Sequence, residues 1–215
     1  TLPAPCSTPM PARQPRTVRR QITLPSRADR GAPVATTRHA AWLWAYHRAL
    51  DANGMVLARL IGVDVDIRSR DEPDLVGPCV NTLPVVLPDG VADHNGELAS
   101  GAAIARLLPH AGIPITDVVP PPRRPTGDPR QPFFRYNLVY QAAEYPTLRL
   151  GGKPTRYHGL PPGISEHTIT LFVRESTAGA QLELAWDAQL VDAAVAHEIL
   201  TATVARFSGQ KEGHR

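Results

Sequence analysis

Three stretches of the chain carry apolar residues at the spacing of an amphipathic helix. The first covers residues 36–50, and a threonine cap, Thr36 or Thr37, is expected at its start. The second is the alanine-rich segment 95–108, and the third follows Asp192 as its N-cap. The pattern therefore predicts three helices, each with one buried face.

Six further segments are predicted as β-strands, most of them because apolar residues recur with a period of two and residues 17–24 because they are rich in β-formers. They are residues 17–24, 57–67, 80–87, 133–140, 168–174 and 181–186. Residues 175–180 join the last two segments and contain Gly179, which predicts a hairpin loop. Because strands and helices intermix without strict alternation, the order predicts an α/β sandwich, a mixed sheet with helices packed on it, rather than a doubly wound parallel sheet.

Prolines mark the limits of the folded part. Repeated prolines in residues 1–15 predict an extended linker, residues 16–208 form the expected domain, and residues 209–215 form a polar tail. A chain of 215 residues is long enough for one domain with its own core. Since the chain begins at Thr1 and not at Met, we expect it to be a piece of a longer protein.

Charge and hydropathy exclude several classes of protein. The net charge is +3, and arginines crowd the first thirty residues without interleaved aromatics, so nucleic-acid binding is not expected. Two interpretations of this arginine cluster are left: it belongs to a solvated linker and an edge strand, or it forms a surface that meets an acidic carrier protein. No apolar run is long enough to span a bilayer, so we expect no membrane partner and a cytoplasmic location.

The reactive side chains do not form a recognisable catalytic or metal site. The chain has two cysteines, Cys6 and Cys79, which excludes a disulfide framework, and Cys79 is expected to be a buried free thiol. The eight histidines lack paired ligand spacing, so no metal is expected. Residues 151–154 lack the context of a phosphate loop, and no nucleophile elbow is present.

Four sequence motifs resemble one enzyme family. Residues 75–85 read L-V-G-P-C-V-N-T-L-P-V and resemble the (I/V)-G-x-F-V-N-T-x-x-x-R motif of the condensation domains of nonribosomal peptide synthetases. Residues 110–115 are similar to its (H/N)-Q-D-Y-P-F motif, and residues 132–134 to its N-P-L-F segment. Residues 164–192 resemble its closing pattern of two strands and a helix. The resemblance implies the C-terminal lobe of a chloramphenicol-acetyltransferase-like fold.

In that family two lobes form a V, and an amide bond is made between thioesters that carrier proteins deliver on phosphopantetheine arms. The base belongs to an H-H-x-x-x-D-G motif on the N-terminal lobe, and this motif is absent from residues 1–215. The resemblance therefore implies no catalytic residue and no directly bound cofactor in this chain. Its expected partners are an N-terminal lobe and acyl or peptidyl carrier proteins of a natural-product assembly line.

The resemblance also implies which side chains line the substrate tunnel. Asn81 and Thr82 belong to the V-N-T motif, and His167 lies on a later strand, where it points either into the cleft or to solvent. Asn81 could instead satisfy backbone groups at a strand entry. Val86 stands where the family often has Arg, and Thr168 where Asp is common.

Two other functions fit the same motifs. One is a catalytically silent module that docks carrier proteins or neighbouring domains. The other is an ester-forming acyltransferase of the same fold, with its base again supplied from elsewhere.

Overall fold

A computed structural model describes residues 15–23, 35–67, 79–89, 93–118, 134–141, 149–154, 167–176 and 179–208. The expected linker residues 1–14, the tail 209–215 and Cys6 lie outside these ranges. The strands are β1 (Pro15–Ile22), β2 (Leu60–Asp66), β3 (Val80–Val86), β4 (Tyr136–Gln141), β5 (Arg149–Leu150), β6 (Lys153–Pro154), β7 (Ile169–Ser176) and β8 (Gly179–Asp187). The helices are α1 (Ala35–Ala52), α2 (Asp93–Leu107), the single turn α3 (Ile115–Val118) and α4 (Ala193–Phe207).

Six strands form one mixed sheet in the order β1-β8-β7-β4-β2-β3. The three central strands β7, β4 and β2 are parallel, and the pairs β1–β8, β8–β7 and β2–β3 are antiparallel. This confirms the predicted α/β architecture. The short β5–β6 hairpin was not predicted, and it turns at Gly151 and Gly152, whose φ values of 58° and 77° suit glycine.

One face of the sheet packs against α1, α2 and α4. Its alternate residues, among them Val63, Leu138 and Leu171, are fully buried in a single cluster with the apolar faces of the helices. Helix α1 lies between α2 and α4, and the Trp42 ring stacks on Phe207 of α4 with centroids 3.5 Å apart. The predicted apolar helix faces therefore all converge on one core.

Several predicted boundaries were wrong. Helix α1 begins at Ala35, before Thr36 and Thr37, so neither threonine is its cap. Strand β2 begins at Leu60, because the chain is left-handed at Leu57 (φ 64°) and leaves the line of the strand there. Helix α2 begins at Asp93, two residues earlier than predicted.

The turn between β7 and β8 also differs from the prediction, whereas the start of α4 does not. The β7–β8 pairing continues to Ser176 opposite Gly179, so the hairpin loop is shorter than residues 175–180. The reason is that Glu175 is a buried member of the strand and not a turn residue. Asp192 is the N-cap of α4 as predicted, although its side chain makes no capping hydrogen bond.

The pH dependence of stability should contain a contribution from His39. Burial lowers the pKa of His39 to about 4, and its ring stacks on Tyr140 with centroids 4.8 Å apart. The unfolded chain, with the ordinary pKa of 6.5, takes up the proton first as the pH falls. The free energy of unfolding should therefore fall from about pH 6.5 towards about pH 4. Urea unfolding of His39→Phe should show a shallower fall, and an unchanged slope would contradict this role of His39.

Candidate functional site

The second face of the sheet, which we call the open face, points away from α1, α2 and α4. Two rows of side chains cross it in the strand register. The first row contains Thr17, Ala185, Thr170, Asn137, Gly62 and Pro84, and the second contains Arg19, Glu183, Phe172, Val139, Asp64 and Thr82. In contrast to the helix-covered face, most of these residues are polar or small.

A polar cluster lies at the β3–β2–β4 end of the open face. The Asp64 carboxylate oxygen Oδ1 accepts hydrogen bonds from Thr82 Oγ1 at 2.7 Å and from Asn137 Nδ2 at 3.2 Å. Asn137 is only 3% exposed, and its Oδ1 has no hydrogen-bond partner in the described structure. Three strands therefore place a carboxylate, a hydroxyl and an amide together.

Gly62 makes this close arrangement possible. A Cβ atom at Gly62 would lie 2.7 Å from Asn137 Oδ1, 2.8 Å from Thr82 Cγ2 and 2.9 Å from the Phe134 ring. These distances are shorter than van der Waals contact, so the three side chains occupy the space that a larger residue would need.

We expect Gly62→Ala to lower the free energy of unfolding by about 2–3 kcal/mol, since overpacking forces the side chains around Asn137 and Thr82 to move. Gly112→Ala is the control, because a Cβ atom there meets nothing within 4 Å, and its effect should stay within about 0.5 kcal/mol. Chemical denaturation of both variants measures the difference. Equal stability of the two variants would contradict the packing described for Gly62.

A charged cluster lies at the β1–β8–β7 end of the open face. The buried Glu183 carboxylate contacts Arg19 Nε at 2.9 Å and Arg174 Nη1 at 3.7 Å. Arg174 Nε also donates to Gln141 Oε1 at 3.2 Å. Glu183 is thus neutralised by two guanidinium groups, whereas the part of the chain that is described places no basic side chain within ion-pair distance of Asp64.

The three candidate residues from the sequence have different surroundings. Asn81 Nδ2 donates to the Ala111 and Ile113 carbonyl oxygens at 2.6 and 2.8 Å. Asn81 Oδ1 also accepts from the Thr82 backbone N–H at 2.9 Å. These bonds fasten the segment after α2 to the start of β3, and they favour the structural interpretation of Asn81.

Thr82 lies on the open face, whereas His167 precedes β7 and is not part of that strand. Thr82 is part of the Asp64 cluster, and His167 Nδ1 is 3.0 Å from the Phe134 carbonyl oxygen. Phe134 in turn faces Gly62, next to the Thr82 methyl group. Thr82 lies on the edge strand β3 and His167 lies just before β7, three positions away in the sheet order, so the structure does not place the two residues together.

Sequence reasoning did not single out Asp64, Asn137 or Glu183. A signal existed, because each is a polar residue inside an alternating strand, on the side opposite to the apolar residues. Cys79 is a buried free thiol as predicted. Among the residues that the structure describes, no group of three metal-ligating side chains forms, and no helix has the length and hydropathy to cross a membrane.

The chain is similar to known proteins in structure but not detectably in sequence. No protein-family model matches the chain, and no curated protein matches it in sequence. The starter condensation domain of rhizomide synthetase RzmA superposes with a TM-score of 0.64 at 15% identity, over 94% of this chain and 46% of that one. A mutant of that domain in complex with C8-CoA and Leu-SNAC gives a TM-score of 0.64 at 19% identity, over 91% and 45%.

A third structure is the condensation domain from the Monacolin K polyketide synthase MokA. It superposes with a TM-score of 0.63 at 12% identity, over 95% of this chain and 50% of that one. The chain thus spans about half the length of the structures that it matches. Together with the sheet order, these matches confirm the resemblance at the level of the fold: this chain has the fold of one lobe of a condensation domain, consistent with the C-terminal lobe that its motifs predict.

Proposed function

We propose that the chain is the C-terminal lobe of a condensation-type acyltransferase and that its open face is one wall of a substrate tunnel. The observation that carries the proposal is the contrast between the two faces of the sheet. One is covered by three helices, and the other carries the polar cluster of half-buried Asp64, half-buried Thr82 and buried Asn137, with no helix from the described residues on it. A polar sheet face beside an apolar one is typical of a surface that lines a wet cleft.

The proposed reaction is amide formation between two thioesters held on the phosphopantetheine arms of carrier proteins. The amine of the acceptor attacks the donor carbonyl carbon, the C–N bond forms, the C–S bond breaks, and the thiolate leaves with the proton lost by the nitrogen. Positioning two tethered reactants supplies much of the rate in such a step. Thr82 and His167 are the proposed tunnel-lining residues, and Asn81 holds the start of β3 in place.

The proposed base is the histidine of an H-H-x-x-x-D-G motif on a second lobe. General-base help contributes about 10²- to 10⁴-fold in rate. This chain would supply one wall of the tunnel and align the substrates, but it lacks the general base and the rate enhancement that the base contributes. We therefore expect no amide formation by the chain alone.

The experiment compares the chain alone with the chain plus a separately produced N-terminal condensation lobe that carries H-H-x-x-x-D-G, using C8-CoA as donor and Leu-SNAC as acceptor. The measurement is mass spectrometry of octanoyl-Leu-SNAC, in which the leucyl nitrogen carries the octanoyl group and free CoA has been released. We expect product above the uncatalysed level with both lobes present and none with the chain alone. Equal rates with and without the second lobe would contradict the proposal.

A silent docking module is the second candidate, and one observation favours it. Asn81, Thr82 and His167 all make internal hydrogen bonds, as residues of a purely structural wall would. This candidate predicts that a phosphopantetheinylated carrier protein binds, whereas no amide forms even with a second lobe present. The turnover experiment therefore separates the two candidates.

A further inference from the structure

An apolar groove lies between the end of β3 and α2. Six residues of its lining are apolar, and they are Val86, Leu87, Pro88, Ala99, Ala102 and Ala103. The groove encloses about 420 Å³. Ala99, Ala102 and Ala103 project from one face of α2 at helical spacing, and their small side chains leave the backbone of α2 approachable.

The surface around the groove exposes more apolar side chains than is usual for a solvent-facing surface. Val86 is 58% exposed, and Leu98 is 70% exposed on the next row of α2. Ala102 and Ala105 are exposed too, although the outward face of a surface helix is normally polar. A contiguous exposed patch of this kind, bordered by charges, is typical of a protein–protein contact.

Two guanidinium groups complete the lining. Arg59 Nε donates to the Leu87 carbonyl oxygen at 3.0 Å, and Arg59 forms an ion pair with Asp89, which is 68% exposed. An exposed pair of this kind contributes about 0–1 kcal/mol, so an incoming carboxylate can compete for Arg59. Arg106 makes no hydrogen bond or ion pair with any described residue.

We propose that this groove binds an amphipathic helix of a partner protein whose apolar stripe is flanked by carboxylates. Alanine side chains on α2 allow a second helix axis to approach to about 8–10 Å, the distance of close helix packing. The apolar lining contacts the apolar stripe of the partner helix, and Arg59 and Arg106 pair with the carboxylates beside that stripe. This is the helix-in-groove mode of recognition. This goes beyond the proposed function, since it involves neither the open face nor a reacting group.

The test uses the full chain and two fluorescent synthetic peptides with the same leucine stripe, one flanked by glutamates and the other by lysines. We expect the glutamate peptide to bind at least about tenfold more tightly than the lysine peptide at low salt. Added salt should weaken the binding of the glutamate peptide. Arg106→Glu should reverse the preference. Ala102→Trp should lower the affinity for the glutamate peptide at least about tenfold by filling the groove.

The matched control is Arg20→Glu, the same charge change at an exposed residue of β1, and it should leave the preference unchanged. Because Ala102, Arg106 and Arg20 are all exposed, these variants should fold, and their thermal unfolding checks this. Equal binding of the two peptides, or an effect of Arg20→Glu as large as that of Arg106→Glu, would overturn the proposal. Neither of these two binding results would count for or against the proposed amide formation, which is tested separately by turnover.

Discussion

Glu175→Ala is expected to lower the free energy of unfolding by about 3–5 kcal/mol, because it breaks a buried charged contact by removing one partner. Glu175 is 4% exposed and fixes α1 to β7 with both carboxylate oxygens. Oε1 accepts from Trp42 Nε1 at 2.7 Å, and Oε2 accepts from Arg38 Nη1 at 2.8 Å. The alanine variant leaves the indole N–H without this acceptor in the core.

Two further variants separate the contributions at this position. Glu175→Gln keeps an oxygen for Trp42 but removes the charge that attracts Arg38, and a loss of about 1–3 kcal/mol is expected. Glu198→Ala on the exposed side of α4 should change the stability by less than about 0.5 kcal/mol. Urea unfolding measures all three variants. If Glu175→Ala were as mild as Glu198→Ala, the Glu175 contacts would not hold α1 on the sheet.

Gly96→Ala is expected to lower the free energy of unfolding by about 2–3 kcal/mol. Helix propensity alone would predict the opposite sign, because alanine is a better helix former than glycine. A Cβ atom at Gly96 would overlap the Trp44 ring, because α2 crosses α1 at this buried glycine. The Trp44 ring is itself buried, so the two helices would have to move apart.

Gly101→Ala is the matched control on the same helix. A Cβ atom there would be 3.5 Å from Ala40 Cβ, an ordinary contact, so helix preference should dominate. Its free energy of unfolding should rise by about 0.5–1 kcal/mol. Thermal unfolding of the two variants should therefore shift in opposite directions. A shift of both in the same direction would contradict the close packing of α1 and α2 at Gly96.

The fold was predictable from the sequence where hydrophobic periodicity is strong. All six long strands and three long helices occur where the pattern places them, and the intermixed order correctly indicated a mixed sheet. The boundaries failed where a local pattern conflicted with tertiary contacts. Leu57 continues the alternation of β2 but is left-handed, and Glu175 resembles a turn residue but is buried under α1.

The candidate site was harder to predict than the fold. The motif residues Asn81 and Thr82 were found by resemblance, yet the contacts of Asn81 with Ala111 and Ile113 depend on where α2 ends in space. Asp64 and Asn137 meet only because β2 and β4 are parallel neighbours, although they are far apart in sequence. Strand order is a property of the whole chain, so alternation alone could not bring them together.

The most direct test of the proposed tunnel wall is an NMR titration of the chain with Leu-SNAC and with C8-CoA. The backbone amides of Asp64, Asn137 and Thr170 on the open face should shift, with weak, saturable binding, because one wall supplies only part of the contact surface. The amides on the exposed side of α4, such as those of His197 and Thr201, should stay unchanged. Shifts confined to α4, with the open face unaffected at saturation, would contradict the account.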